Sequence, residues 1–278
     1  MDGFLKGVYD LHVHTSPDVG PRKCSDIELA RRWKASGMAG GAIKNHFLDT
    51  AGRAGLLREL FPDLNVVGGI VLNRSVGGFN PYAVEKSAQT GGRMLWFPTM
   101  DSRCYKCFNG KNASSEDLAE YLTVIDENSR LLPSVLDVLD VAAQYKLAVG
   151  TGHLGPIEGM ILVREGLRRG CRMVLTHCDS PANFYSEEQQ KEAASLGAVI
   201  EHSMLTTLWG RTSIEAIASM IRATGAENVI LTTDYGQTAS PYSDEGMLEY
   251  ARLLLEQGIS EDALNRMMRI NPARLIAE

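Results

Sequence analysis

The sequence predicts an α/β protein, a (β/α)8 TIM barrel built as a single domain over residues 1–278, and three observations point to it. Eight short apolar runs alternate with stretches of helical periodicity. Glycines recur where a helical stretch gives way to the next run. All six histidines stand at or just after the end of a run.

The runs cover residues 8–13, 40–44, 65–72, 94–99, 147–150, 173–176, 198–201 and 228–232. They are continuous rather than alternating, the pattern of parallel strands buried on both faces. Between them, segments such as 27–33 and 157–169 repeat apolar residues at helical spacing, so each unit reads as strand, crossover helix, parallel strand. Gly37, Gly91, Gly170, Gly197 and Gly225 follow helical stretches and are expected at helix C-termini. Eight such units in 278 residues fit a closed barrel. An open doubly wound sheet is the rival, but no glycine-rich dinucleotide turn follows the first run. Residues 102–130 form the one long insertion, a polar stretch after the fourth run. In a barrel it falls over the active-site mouth, as a lid or as a surface excursion.

Composition narrows the function classes. Hydrophobic residues make up 44% and charged residues 22%, which is ordinary for a soluble globular enzyme. A net charge of −6 argues against nucleic acid as a partner. No apolar run approaches ~18 residues, so no membrane-spanning helix is expected. Residues 1–6 lack the basic-then-apolar pattern of a signal peptide. The five cysteines are an odd number and make no disulfide framework, which suits a reducing cytosol. Cys104 and Cys107 form a lone CxxC and read as two loop thiols.

The chemistry is expected at the ends of the runs. In Asp10-Leu11-His12-Val13-His14, the two histidines are two apart on a strand and share a face, so they reach one ion together. His46 ends the second run, and His153, His177 and His202 follow the fifth, sixth and seventh. Asp234 follows the eighth. Active sites of such barrels form at this rim. A carboxylate buried at the barrel centre needs a cation or a proton, so Asp234 is expected to bind metal or transfer protons. His153 is preceded by the small residues Gly150-Thr151-Gly152, which let other groups approach, and reads as a metal ligand. His177 reads as a ligand or as a hydrogen-bond partner of the reacting water. Lys44 shares the inward parity of His46, and Arg74 follows the third run. Lys44, His46, Arg74 and His202 are expected to bind the substrate, the two cations through an acidic group on it. His202 adjoins Glu201, and alternation lets only one of the two face the barrel axis. Asp101, after the fourth run, reads as a second metal ligand or as a cap of the following loop.

At this point the chain resembles the amidohydrolase superfamily of metal-dependent barrels. The resemblance rests on the ordered set His12, His14, His153, His177 and Asp234, spread over nearly the whole length. The ending Asn271-Pro272-Ala273-Arg274-Leu275 is similar to one common in that superfamily. Thr232-Thr233-Asp234-Tyr235 looks like the last strand of its amidohydrolase-related branch. The resemblance implies that His12, His14 and Asp234 bind a first metal, with His153 and His177 completing the site. It implies that Asp234 accepts the proton of the attacking water. The bridging lysine or glutamate of two-metal members is missing from its usual strands, so one zinc-type ion is expected, with two as the alternative.

The implied function is a metal-dependent hydrolase of a small, acidic amide, lactone or ester. One rival is a decarboxylase or hydratase of a small acid in the same superfamily. Another is a phosphoesterase of the histidinol-phosphatase type, whose barrels begin with a similar HxH run but are usually seven-stranded and bind three metals. A scaffold that has lost catalysis would show missing ligands, and none of the main positions is missing. The expected partners are a small-molecule substrate and a second copy of the chain. Trp33 and Trp209 read as interface residues or, more simply, as packed ones.

Overall fold

The structure is a computed structural model that describes residues 3–110, 114 and 118–277. Its strands are β1 (Tyr9–His14), β2 (Gly40–Lys44), β3 (Asn65–Val67), β4 (Gly69–Val71), β5 (Met94–Trp96), β6 (Ala148–Gly150), β7 (Arg172–Leu175), β8 (Val199–Ser203) and β9 (Val229–Thr232). All pair in parallel with their sequence neighbours, as β1-β2-β3 and as β4-β5-β6-β7-β8-β9. The fold is thus the expected α/β barrel type, with two seams where the ladder is not continuous.

The first seam lies inside the third apolar run, which the sequence reads as one strand. It is broken at Gly68, where a Cβ would stand 2.3 Å from the Thr50 carbonyl oxygen. That close approach excludes any larger residue. The Thr50 hydroxyl fills the gap, 2.8 Å from the Ile43 carbonyl and 2.9 Å from the Gly69 N–H. The second seam joins the two ends of the barrel. The Asp234 N–H donates to the His12 carbonyl (2.9 Å), and the His14 N–H donates to the Tyr235 carbonyl (2.7 Å). The Asp10 carboxylate fastens the same seam, accepting from the Thr233 N–H (3.0 Å), the Thr233 hydroxyl (2.6 Å) and the Ser243 hydroxyl (2.7 Å).

Helices follow the strands, and several are capped by serine or asparagine side chains at their first turn. Asp26–Ser36 begins at Ser25, whose hydroxyl accepts from the Glu28 N–H, and ends at Gly37 in the left-handed region. All five junction glycines singled out in the sequence have positive φ. Cys104 and Cys107 stand on a short helix, Arg103–Asn109, rather than in a loop. Trp33 is fully buried and donates to Ser243, which makes it a packed residue.

Two apolar layers surround the strands. The larger lies between strands and helices, where Val13, Ile43, Leu95, Leu175 and Ile200 point. The smaller fills the barrel floor with Leu11, Ala42, Trp96, Ala148, Val174 and Ile230, closed by Leu275 and Ile276. Above it the inward positions turn polar. The β1/β2 register shifts between Asp10 and Val13. Such a bulge re-aims side chains. Leu11 therefore packs in the floor while His12 and His14 both turn to the polar layer above it.

Candidate active site

Three potential ligand atoms meet above the floor. Asp234 Oδ1 lies 3.1 Å from His12 Nε2 and 3.1 Å from His14 Nε2. His12, His14 and Asp234 lie close enough together to share one ion. The backbone is forced there: Asp234 has a φ of 54° and His177 a φ of 29°, conformations rare for residues with a Cβ. Such strain clusters at functional sites because surrounding structure must hold it. At Asp234 the holding is visible in the second seam.

Glu201 completes this group; alternation in the sequence lets either it or His202 face the axis, and His202 is the one expected at the substrate. Glu201 Oε1 is 2.6 Å from His12 Nδ1 and accepts from the Thr232 hydroxyl at 2.8 Å. A carboxylate behind a histidine fixes its tautomer and aims the other nitrogen at an ion. Of the Glu201–His202 pair it is therefore the glutamate that faces the axis. His202 points outward, fully buried, with Nδ1 3.1 Å from Asp179 Oδ1 and 3.8 Å from Cys178 Sγ. Asp179 in turn accepts from the Thr206 hydroxyl.

Burial drives the electrostatics. It pushes His14 down to about 3 and His46, His153 and His177 below the ordinary histidine value, so these rings are neutral at pH 7. His12 is the exception: burial alone would lower it, but the charges of Asp234 and Glu201 raise it to about 9. Burial alone would raise Asp234 and Glu201, but the charge and hydrogen bonding of His12, joined at Asp234 by the His14 hydrogen bond, hold both below the usual carboxylate range. Lys44 is fully buried, which pushes its amine down to about 8. Its Nζ lies 2.9 Å from His12 Nε2 and 5.1 Å from the centre of the Trp96 ring.

The donor set suits a divalent cation: two imidazoles, a carboxylate, and a second carboxylate behind one imidazole. The Nδ1 atoms of His14, His153 and His177 are buried and without hydrogen-bond partners among the described residues. Lys44 is the discordant member, since an ammonium at His12 Nε2 contests the side of that ring where an ion binds.

A cavity of about 110 Å³ opens above the triad. His14, His46, His153, His177 and Asp234 border it, along with Tyr105, Thr206, Trp209, Arg211 and Gln237. The His153 ring lies 5.0 Å from that of His177 and 4.6 Å from that of Tyr105. His153 and His177 thus stand beside the triad rather than within it. His46 stacks on His14 at 4.5 Å, with its Nδ1 2.8 Å from the Thr99 hydroxyl.

Of the four residues expected to bind substrate, His46 alone borders this cavity. Lys44 lies beneath it against His12, and His202 lies outside the strand wall. Arg74 is exposed and starts a 3-10 turn, with its backbone N–H on Asp101 Oδ2 at 2.7 Å. Asp101 thus caps the turn that begins at Arg74, not the loop that follows it, as the sequence alternative had it. The expected lid falls partly on residues 111–113 and 115–117, outside the described residues, while its first helix brings Tyr105 to the cavity. Tyr105, Trp209 and Arg211 had no sequence signal beyond residue type, because they lie in connections whose course no periodicity records.

No curated protein matches the chain. Among solved structures it is similar to a phosphotriesterase homology protein from Escherichia coli complexed with phosphate in its active site. That match has 14% identity and a TM-score of 0.65, and covers 98% of this chain and 99% of that one. It is also similar to a putative 2-pyrone-4,6-dicarboxylic acid hydrolase from Pseudomonas putida (14% identity, TM-score 0.60, 97% of both chains). A third is 2,6-dihydroxybenzoate decarboxylase from Rhizobium (11% identity, TM-score 0.57, 98% of both chains). These neighbours share the barrel and, by their names, are a phosphotriesterase homology protein, a putative hydrolase and a decarboxylase. Their fold agrees with the amidohydrolase resemblance carried by the motifs. A family model matches residues 7–201, more than half of the chain, and the chain therefore belongs to the family of unknown function DUF6282.

Proposed function

We propose that this protein is a metal-dependent hydrolase of a small carboxylate-bearing amide, lactone or ester, with its site in one barrel domain. The observation that carries the reading is the convergence of His12 Nε2, His14 Nε2 and Asp234 Oδ1 beneath a cavity, with Glu201 behind His12. A divalent cation held by these three residues, zinc in the first instance, supplies the acidity that makes water nucleophilic at neutral pH and the charge that polarises a substrate oxygen.

The chain's own groups do the rest. Glu201 orients His12, and the strained backbone at Asp234 presents its carboxylate to both histidines. Asp234 stays anionic and is the acceptor for the proton of the attacking water, which it passes to the leaving group. His177, neutral and bordering the cavity with its Nδ1 unpartnered, takes the role of orienting the reacting oxygen. His153 stands beside it as a further ligand or substrate contact. Met100, Ala182 and Leu205 line the cavity and limit water around the reacting groups.

Decarboxylation of a small acid is the second reading, favoured by the Rhizobium decarboxylase among the neighbours. A phosphoesterase of the seven-stranded type is disfavoured, because the Asp234 connection closes an eighth strand position onto β1. The test is a turnover screen of small lactones, esters, amides and carboxylic acids in ¹⁸O-water, with Asp234→Asn beside the wild type. Hydrolysis places ¹⁸O in the product acid, whereas decarboxylation releases CO₂. Asp234→Asn is expected to lose about 10²-fold or more in turnover, the scale of a general acid–base group. Undiminished turnover by this variant would overturn the assignment.

A further inference from the structure

The cavity needs a group that recognises an acidic substrate, and neither of the cations suggested by the sequence borders it. Arg211 does. Its guanidinium lies over the Trp209 ring, 4.5 Å from the centroid, and no ion pair engages it among the described residues. Among the described residues, Arg211 is the one arginine or lysine on the cavity wall and Asp234 the one carboxylate.

The turn that carries Arg211 is built rather than loose. The N–H groups of Arg211 and Thr212 both donate to the Thr206 carbonyl, at 2.9 and 3.3 Å. The Thr212 hydroxyl donates to the Asp179 carbonyl at 2.7 Å, while the Asp179 carboxylate is held by His202 and Thr206. The buried Asp179–His202 pair outside the barrel wall thus anchors the turn that holds Trp209 and Arg211 at the cavity. Stacking on an indole fixes the plane of the guanidinium and leaves its N–H edge free for a carboxylate, a pairing that a lysine cannot reproduce. Tyr105 and Trp209 give the same cavity two aromatic walls.

We propose that Arg211, stacked on Trp209, is the carboxylate-recognition residue of this site, and that its ligand is a small, flat carboxylic acid. The proposal rests on the enzymatic reading above for its biological meaning, but its test does not require turnover. Benzoate serves as the probe and benzamide as its uncharged control, titrated by calorimetry into wild type and Arg211→Gln, with metal content measured in both. Arg211 is exposed, so the variant is expected to fold. Benzoate binding should weaken about tenfold or more in Arg211→Gln, the factor carried by a lost hydrogen bond to a charged group, with benzamide unchanged. Equal benzoate affinity in the two proteins overturns the proposal, and so does a wild type that does not prefer benzoate to benzamide. Arg211-dependent binding by a protein that takes up no metal would sustain this assignment while removing the hydrolase reading. Metal uptake without carboxylate preference would do the reverse.

Discussion

Glu201 Oε1 lies 2.6 Å from His12 Nδ1, although the two residues are 189 positions apart in the chain. This contact turns a pair of strand-end histidines into an oriented ligand set. With Nδ1–H committed to the carboxylate, Nε2 is left to face Asp234 and an ion. Replacing Glu201 with Gln keeps the shape and removes the charge. Metal affinity should fall about 10- to 100-fold, the usual cost of losing such a partner. Competition with a chromophoric chelator measures it, and an unchanged affinity would show that Glu201 does not tune the site.

Metal affinity should also rise with pH. His12 holds its proton up to about 9 because Asp234 and Glu201 flank it, and an incoming ion must displace that proton. Lys44, lowered to about 8 by burial, repels the ion while charged and stops doing so as pH rises. Both groups act in the same direction: affinity grows from pH 6 towards pH 9, and loading at pH 7 releases protons. Calorimetric titration in buffers of different ionisation enthalpy counts them. A constant affinity with no proton release would contradict the assignment of His12 as a ligand.

The seam between the first and last strands depends on Asp10. Its carboxylate accepts three hydrogen bonds from Thr233 and Ser243 in a fully buried position. Asp10→Ala would leave those donors unsatisfied at about 1–3 kcal/mol each, so a loss of several kcal/mol in stability is expected. Scanning calorimetry should show a clearly lowered midpoint. A variant within about 0.5 kcal/mol of wild type, the range of ordinary surface changes, would remove Asp10 from the role of latch.

His202→Asn separates the two sides of the strand wall. Because His202 packs against Asp179 and Cys178 rather than the triad, metal content should remain that of the wild type while stability falls. Loss of metal with the fold retained would place His202 in the site after all.

Much of this was legible in the chain. The apolar runs found the strands because parallel strands buried on both faces leave no polar positions to confuse the pattern. The strand ends found the triad because His12, His14 and Asp234 carry chemistry at positions fixed by the barrel. Four features were hidden for physical reasons. The break at Gly68 depends on the approach of Thr50 from another unit, which no local pattern records. The choice between Glu201 and His202 needed the parity of β8, whose Val199 packs in the barrel floor and so turns Glu201 inward. Arg74 follows a strand end, a position that reads as a substrate contact, but the chain turns into a 3-10 helix there and carries its side chain to solvent. Arg211 sits in a turn shaped by hydrogen bonds to Thr206 and Asp179, contacts that exist only after folding.

The central claim is that His12, His14 and Asp234 hold a catalytic cation despite the amine of Lys44 at the same ring. Elemental analysis of wild type and His12→Ala, each purified without added metal and checked for folding by circular dichroism, tests it most directly. About one zinc, iron or manganese per wild-type chain, lost in His12→Ala, is the expected result for a cation held by His12, His14 and Asp234. A folded wild type that takes up no divalent metal even when it is supplied, or a variant that binds as much as the wild type, would contradict the claim.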